Sequence, residues 1–418
     1  MAWIIPMQNT PGIDLLNGDS LFVSRSILVG QIVNNGSNNK IIVQGSVASE
    51  GAGIYLLNGS GHYLKIEQSG DVRGFTGSGI SAYSQNAKID NAGYVFGAYQ
   101  GIYIAGSVGV VTVNNSGTIE SDDLGIARYE ETQSVNVFNT GTIKGAAYAI
   151  ALSFAGDTVN DTITNNGILI GTVDLGGGDD YFDGRSGRVD GTIYGGAGDD
   201  RIYVRRENNK LYGQEGNDTL MGGAGSDYLG GGVGTDRASY ASASKGLIVS
   251  LANPTINTGD ALGDTYNSIE NLSGSNFNDL VYGNSAANAI NGGAGNDVIK
   301  GYGGNDTLTG SSGNDTFNFN SSLSSSGNVD AITDYSVAID TIQLDNLIFK
   351  SLAAGGLSSS AFRSNTTGLA GDLSDRIIYE KDTGEIYYDS NGTGSGGSVL
   401  FVKISIGLSM TNANFFVV

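Results

Sequence analysis

The sequence of 418 residues contains no cysteine, one histidine, one tryptophan and three prolines. Without thiols there is neither a disulfide framework nor a thiolate metal site. The one imidazole, His62 in the turn-like run GSGHY, leaves little for a Ser-His-Asp triad or a two-histidine zinc site, and HExxH is absent. No segment approaches the ~20 apolar residues of a membrane span. The stretch MAWIIPMQNTPG lacks a basic region and an apolar run long enough for a secretory signal, so export, if any, is expected to proceed without one. Basic residues are scarce as well: 21 Lys and Arg stand against 42 Asp and Glu, a formal charge of -21. That balance argues against nucleic acid and anionic membranes and favours cations. No run with helical periodicity stands out, which leaves an all-β chain.

Glycine is what the chain has in abundance, 67 residues, together with 39% hydrophobic content. Gly45, Gly70, Gly93, Gly117, Gly141 and Gly167 recur at intervals of 23 to 26 residues. Four residues before them stand Ile41, Ile66, Ile89, Val113, Val137 and Ile163, and two after them Val47, Val72, Val95, Ile119, Ile143 and Leu169. Two before them the column reads Val43, Gln68, Asn91, Asn115, Asn139 and Asn165, and Ile54, Ile80, Ile102, Ile126 and Ile150 follow further on. A unit this short cannot bury its own apolar face, so the repeats must stack and share a core. The spacing predicts a parallel β-helix over 31–173 after an N-terminal cap over 1–30, with asparagine amides laddered at one turn. The rungs resemble those of autotransporter-like and other extracellular β-helices. Arg73, Phe96, Glu120 and Lys144, with Asp122, Asp123 and Arg128 nearby, read as a solvated charged ladder before a sugar-acid cleft, and the tyrosines from Tyr55 to Tyr148 as packing along the coil before stacking on sugars.

From Gly176 the period shortens. A degenerate start, GGGDD, ends at Asp180, and two blocks of five nine-residue units follow, at 195–239 and 274–318. Their sixth positions are Asp200, Asn209, Asp218, Asp227 and Asp236, then Asp279, Asn288, Asp297, Asp306 and Asp315. Glycines before each acid supply tight turns, and an apolar residue two positions after it supplies a one-residue strand core. If two units make one coil, acids eighteen residues apart lie about 4.8 Å from each other. Two carboxylates that close repel by roughly 3 kcal/mol at an effective dielectric near 20. A stack of such pairs needs a cation, and carboxylates with turn carbonyls are the hard oxygen donors that suit Ca²⁺. The candidate ligand set is Asp180; Gly195, Gly196, Ala197, Gly198 and Asp200; Gly213, Glu215, Gly216 and Asp218; Gly222, Gly223, Ala224, Gly225 and Asp227; and Gly231, Gly232, Gly234 and Asp236. In the second block it is Asp279; Asn288; Gly292, Gly293, Ala294, Gly295 and Asp297; Gly301, Gly303, Gly304 and Asp306; and Gly310, Ser312, Gly313 and Asp315. The Asn209–Asp227 and Asn288–Asp306 steps carry one carboxylate each and are expected to hold the ion less well.

The pattern G-G-x-G-x-D-x-apolar-x resembles the repeat of RTX proteins, which bind calcium in a parallel β-roll. The resemblance extends over about 174–418. It takes in the joining stretch with Gly263-Asp264-Thr265 and Ile269-Glu270-Asn271-Leu272, the segments Asp330–Leu344 and Ile377–Gly394, and the apolar ending Asn-Phe-Phe-Val-Val, which is similar to the uncleaved signal of type I secretion substrates. It implies a β-roll over 174–318, a β-rich secretion region over 319–418, calcium as cofactor and the type I machinery as partner. The expected role is a non-enzymatic, secreted surface or matrix protein (adhesin, S-layer or biofilm component) that self-associates or contacts polysaccharide. The alternative is a polysaccharide-modifying enzyme of uronate epimerase or lyase type. A membrane-active protein comes third, lacking a long apolar segment.

Overall fold

The computed structural model describes residues 3–57, 59–106, 108–129, 133–153, 156–393 and 396–418. Gly394, the end of one of the segments singled out above, lies outside them, as do the first two residues of the expected cap. Among the described residues there is no α-helix, only strands and four short 3₁₀ turns. The chain forms two compact units, one of residues 1–222 and 227–236, the other of 223–226 and 237–418.

The first unit is a parallel coil. One interior column runs Leu21, Ile41, Leu64, Ile89, Val113, Val137, Ile163, Phe182, Ile202 and Leu220 in unbroken register. A second runs Ile13, Ile32, Ile54, Ile80, Ile102, Ile126, Ile150, Val173, Ile193, Leu211 and Leu229. Nearly all of these side chains are buried, each adding about 1.5–3 kcal/mol of hydrophobic stabilisation. A third column, Val29 to Leu169, stops at Val189. Its end is the physical change from long rungs to short ones. Three sides per turn become two, while the first two columns pass from one region to the other without a break. The strand Ile168–Gly177 itself runs across residue 173.

Register corrects one sequence assignment. Leu64, not Ile66, pairs with Ile41 and Ile89, and Ile66 pairs with Val43 and Asn91. Gly70 still faces the same turn, because its turn is two residues longer, with Gly70 N–H donating to the Glu67 carbonyl. From Asn91 upward the amide ladder forms: Asn91, Asn115 and Asn139 each donate Nδ2–H to the next Oδ1, at 2.8 Å, ending on Asn165. The segment expected as a cap is itself part of the coil, since Thr10–Leu15 pairs with Leu28–Asn35. One further expectation fails on burial: Arg128, read as part of a solvated ladder, is 1% exposed, and His62 is equally buried, its Nδ1 at 3.2 Å from Asn34 Nδ2. The Glu120–Lys144 pair, at 2.7 Å, remains at the surface as expected of a charged ladder.

The second unit has its own two columns, Ala238, Leu272, Ile290, Leu308 and Ile332, and Val249, Val281, Ile299, Phe317, Ile342 and Phe415. Beyond them an antiparallel meander, Ile377–Glu380, Glu385–Asp389 and Ser398–Lys403, joins the coil at Asp330–Ile332. The apolar tail is folded: Phe415–Val417 lies parallel to Thr341–Leu344, and Phe415 and Val417 are buried.

Candidate metal centre

The nonapeptide turns place their acids in buried columns. In the first unit the backbone N–H of Asp161 donates to Asp180 Oδ1, that of Asp180 to Asp200, that of Asp200 to Asp218 and that of Asp218 to Asp236, at 2.6–2.8 Å. Asn209 N–H donates likewise to Asp227. In the second unit the chains run Asp279, Asp297, Asp315 and Asp340, and Asn288, Asp306 and Asp330. The eighteen-residue partners expected from the spacing are therefore neighbours. Alongside, the fifth positions form an exposed lane of opposite sense, in which Asn217 N–H donates to Asp199 and Thr235 N–H to Asn217.

Glycine at the first position has a steric reason. A Cβ at Gly195, Gly213, Gly222, Gly292, Gly301 or Gly310 would collide with Oδ2 of the acid five residues on, from Asp200 through Asp315. Gly196 and Gly198 adopt φ of 120° and 124°, which side-chain-bearing residues rarely reach. The third-position carbonyls of Ala197 and Glu215 accept from Gly178 and Gly198 N–H at 2.7 Å, and that of Ser312 from Gly295 N–H at 2.8 Å. Gly216, Gly232, Gly234, Gly293, Gly304 and Gly313 share the positive φ, and Gly303 N–H donates to the Asn284 carbonyl. Ala294 N–H donates to the Ser275 carbonyl. Gly231 ends a run of buried positions in the strand Tyr228–Val233. Gly223, Ala224 and Gly225 group with the second unit, Asp227 with the first.

Whether a cation fits is decided by oxygens. Oδ2 of Asp180, Asp200, Asp218, Asp297 and Asp306 is buried with no hydrogen-bond partner, a costly state for a carboxylate. Burial, the largest cause, raises Asp180 to about 10, Asp200 to about 8 and Asp218 and Asp297 to about 7. Backbone N–H bonds oppose the shift, and neighbouring carboxylates in the same column add to it. Among the described residues no three acidic, histidine or cysteine side chains converge on one point. The donor set expected from the repeat, two carboxylates plus turn carbonyls, is all oxygen, which suits Ca²⁺ rather than a transition metal. Bound calcium would supply the positive charge these oxygens lack. Two expected ligands are satisfied otherwise. Asn288 Oδ1 accepts from Asn284 N–H and its amide donates to the Glu270 carbonyl, while Asp279 accepts from Ser275 N–H and hydroxyl and from Leu247 N–H.

Three column members escaped the sequence reading: Asp161, Asp330 and Asp340. Each keeps the acid-x-apolar half of the repeat (Asp161-Thr162-Ile163, Asp330-Ala331-Ile332, Asp340-Thr341-Ile342); Asp161 has only the first-position glycine, Gly156, and the other two have none at the repeat's glycine positions. At the Asp161 end the column meets Arg128, which is fully enclosed. Its guanidinium contacts Asp157 and Asp161, the latter at 2.8 Å, and donates to the carbonyls of Gln133 and Leu152. One end of this ladder thus carries its own cation.

Such a coil, with acids columned and glycines cleared for them, defines a calcium-binding β-solenoid. Residues 190–210, 205–238, 264–299 and 282–317 match the RTX calcium-binding nonapeptide repeat in four copies, so both blocks are RTX repeats. Repeats of this kind typify extracellular proteins exported by type I secretion. No curated protein matches the chain at a significant level. Among the described residues no helix is long and apolar enough to cross a membrane.

The columns rank their members. Asp297 bridges two steps in which both partners are acids, Asp279–Asp297 and Asp297–Asp315, whereas Asp306 has Asn288 on one side and Asp330 on the other. Asp297→Ala is expected to remove up to two calcium ions and Asp306→Ala one. Calorimetric titration of both variants checks the register, which equal losses would contradict.

Proposed function

We propose that the chain is a non-catalytic, secreted structural protein of a Gram-negative bacterial surface or matrix, folding and associating on extracellular calcium. The observation that carries this reading is the set of buried, unpartnered Asp oxygens, which makes the native coil conditional on a cation. Extracellular calcium modules bind at roughly 10⁻⁴ to 10⁻³ M, far above cytosolic calcium. Residues 174–418 would stay unfolded inside the cell, keeping the chain export-competent, and fold from the emerging C-terminus outside, in keeping with the type I route.

Association is supported by the first rung. Trp3, Ile4 and Ile5 are 42%, 39% and 50% exposed, Met7 88% and Leu16 69%. Pro11, in the strand Thr10–Leu15, lacks the N–H that ladder pairing would use. Contact between copies therefore goes through these apolar side chains. Calcium lowers the net charge of -21 that holds copies apart. Light scattering at millimolar calcium is expected to show oligomers that weaken when residues 1–12 are deleted, and imaging to show ordered assemblies. A monomer at high protein concentration would refute association. Unsaturated product or altered composition from a uronate polymer would refute the non-catalytic reading.

A further inference from the structure

On the outer face of the strands Ile54–Leu57, Ile80–Ala82 and Gln100–Ile104, one in-register column reads Tyr55, Ser81, Tyr103. Alternation sends Ile54, Ile80 and Ile102 inward and these three outward. Ser81 thus stands where a tyrosine would complete a stack, and the missing ring leaves a gap. Its walls, two rungs apart, are about 9.6 Å from each other at the ordinary strand spacing. Tyr83 closes one side with its ring 5.5 Å from that of Tyr103, and Tyr129 lies 5.6 Å from Tyr103 on the other. The hollow measures about 450 Å³, within the range of small-molecule sites. At its rim Ser78 Oγ donates to Gln100 Oε1 at 2.9 Å, which orients that carboxamide.

The chemistry of this slot selects its occupant. Among the described residues no charged side chain lines it, although the chain carries a net charge of -21. An ionised ligand would lose water there without a countercharge. A peptide would bring backbone donors and acceptors, but the strands beneath are paired on both edges and have none to offer. Aromatic walls with hydroxyl and amide groups at the edge fit a ring that is apolar on its C–H face and polar around its rim. We infer that the slot binds a neutral hexose unit of an oligosaccharide. The inference rests on the surface or matrix reading and gives it a partner class.

The test is calorimetric titration of the calcium-loaded full chain with cellotetraose, mannotetraose and galactotetraose, with tetragalacturonate as the charged control. At least one neutral tetraose is expected to bind and the uronate not to. Ser81→Tyr inserts the residue its column neighbours already carry, so it should keep the β-sheet circular dichroism signal and abolish binding. Tyr103→Ala removes a wall and should weaken binding about tenfold, the worth of one good aromatic contact. Absence of binding by all three neutral sugars, preference for the uronate, or undiminished binding by Ser81→Tyr would overturn the assignment. Calcium-dependent association in light scattering does not depend on this slot, so the two readings fail separately.

Discussion

In chelator near neutral pH the full chain is expected to lose most of the β-sheet ellipticity that residues 174–418 contribute, and to regain it on adding calcium to roughly 10⁻⁴ to 10⁻³ M. The columns of acids repel at strand spacing, and the glycine-rich turns return their conformational entropy when the coil opens. Protons should partly replace the metal. Burial raises the folded values of Asp200 and Asp330 to about 8, Asp218 and Asp297 to about 7 and Asp306 to about 6, against ordinary values near 4 in the unfolded chain. The calcium-free fold therefore binds more protons than the unfolded chain between about pH 4 and 8. Its stability is greatest below that window and falls as pH rises through it. Circular dichroism in chelator should show more β structure near pH 5 than near pH 8, while calcium reverses the order by favouring ionised acids. A signal that is the same with chelator and with calcium at neutral pH would sink the ladder reading.

The second large effect belongs to Arg128. Arg128→Met leaves Asp157 and Asp161 enclosed with no cation, and losing one partner of such a group typically costs about 3–5 kcal/mol. The unfolding midpoint in urea should fall accordingly even in saturating calcium, because the nonapeptide turns still hold their ions. Arg128→Lys keeps the charge but cannot reach two carboxylates and two carbonyls with a rigid fork, so an intermediate loss is expected. Replacing Asp157 and Asp161 by Asn in the Arg128→Met background should recover much of the deficit. A midpoint unchanged in Arg128→Met would show that the cluster contributes nothing to the coil.

Periodicity by itself determined that the chain is a solenoid, that its period shortens, and that calcium is the ion. These follow from residue type at fixed intervals: Ile102 lies over Ile80 and Asp218 over Asp200 because a stacked coil repeats whatever its sequence repeats. Where glycine and acid occur together, as at Gly292 and Asp297, the tight turn was legible, whereas the structure alone showed that the glycine also makes room for the acid. Only the tertiary structure decided what interrupts the repeat. Leu64 displaced Ile66 from its column because a turn can lengthen by two residues without disturbing the strands it joins. Asp330 and Asp340 entered the ladder without glycines, and Asp161 with Gly156 alone, because the column requires an oxygen at that height and not a particular turn. Arg128 and Asp157, 29 residues apart and in no repeat, met in the core because a buried charge is stable only beside its opposite. Spacing shows what recurs along an axis, and a contact made once leaves no period to find.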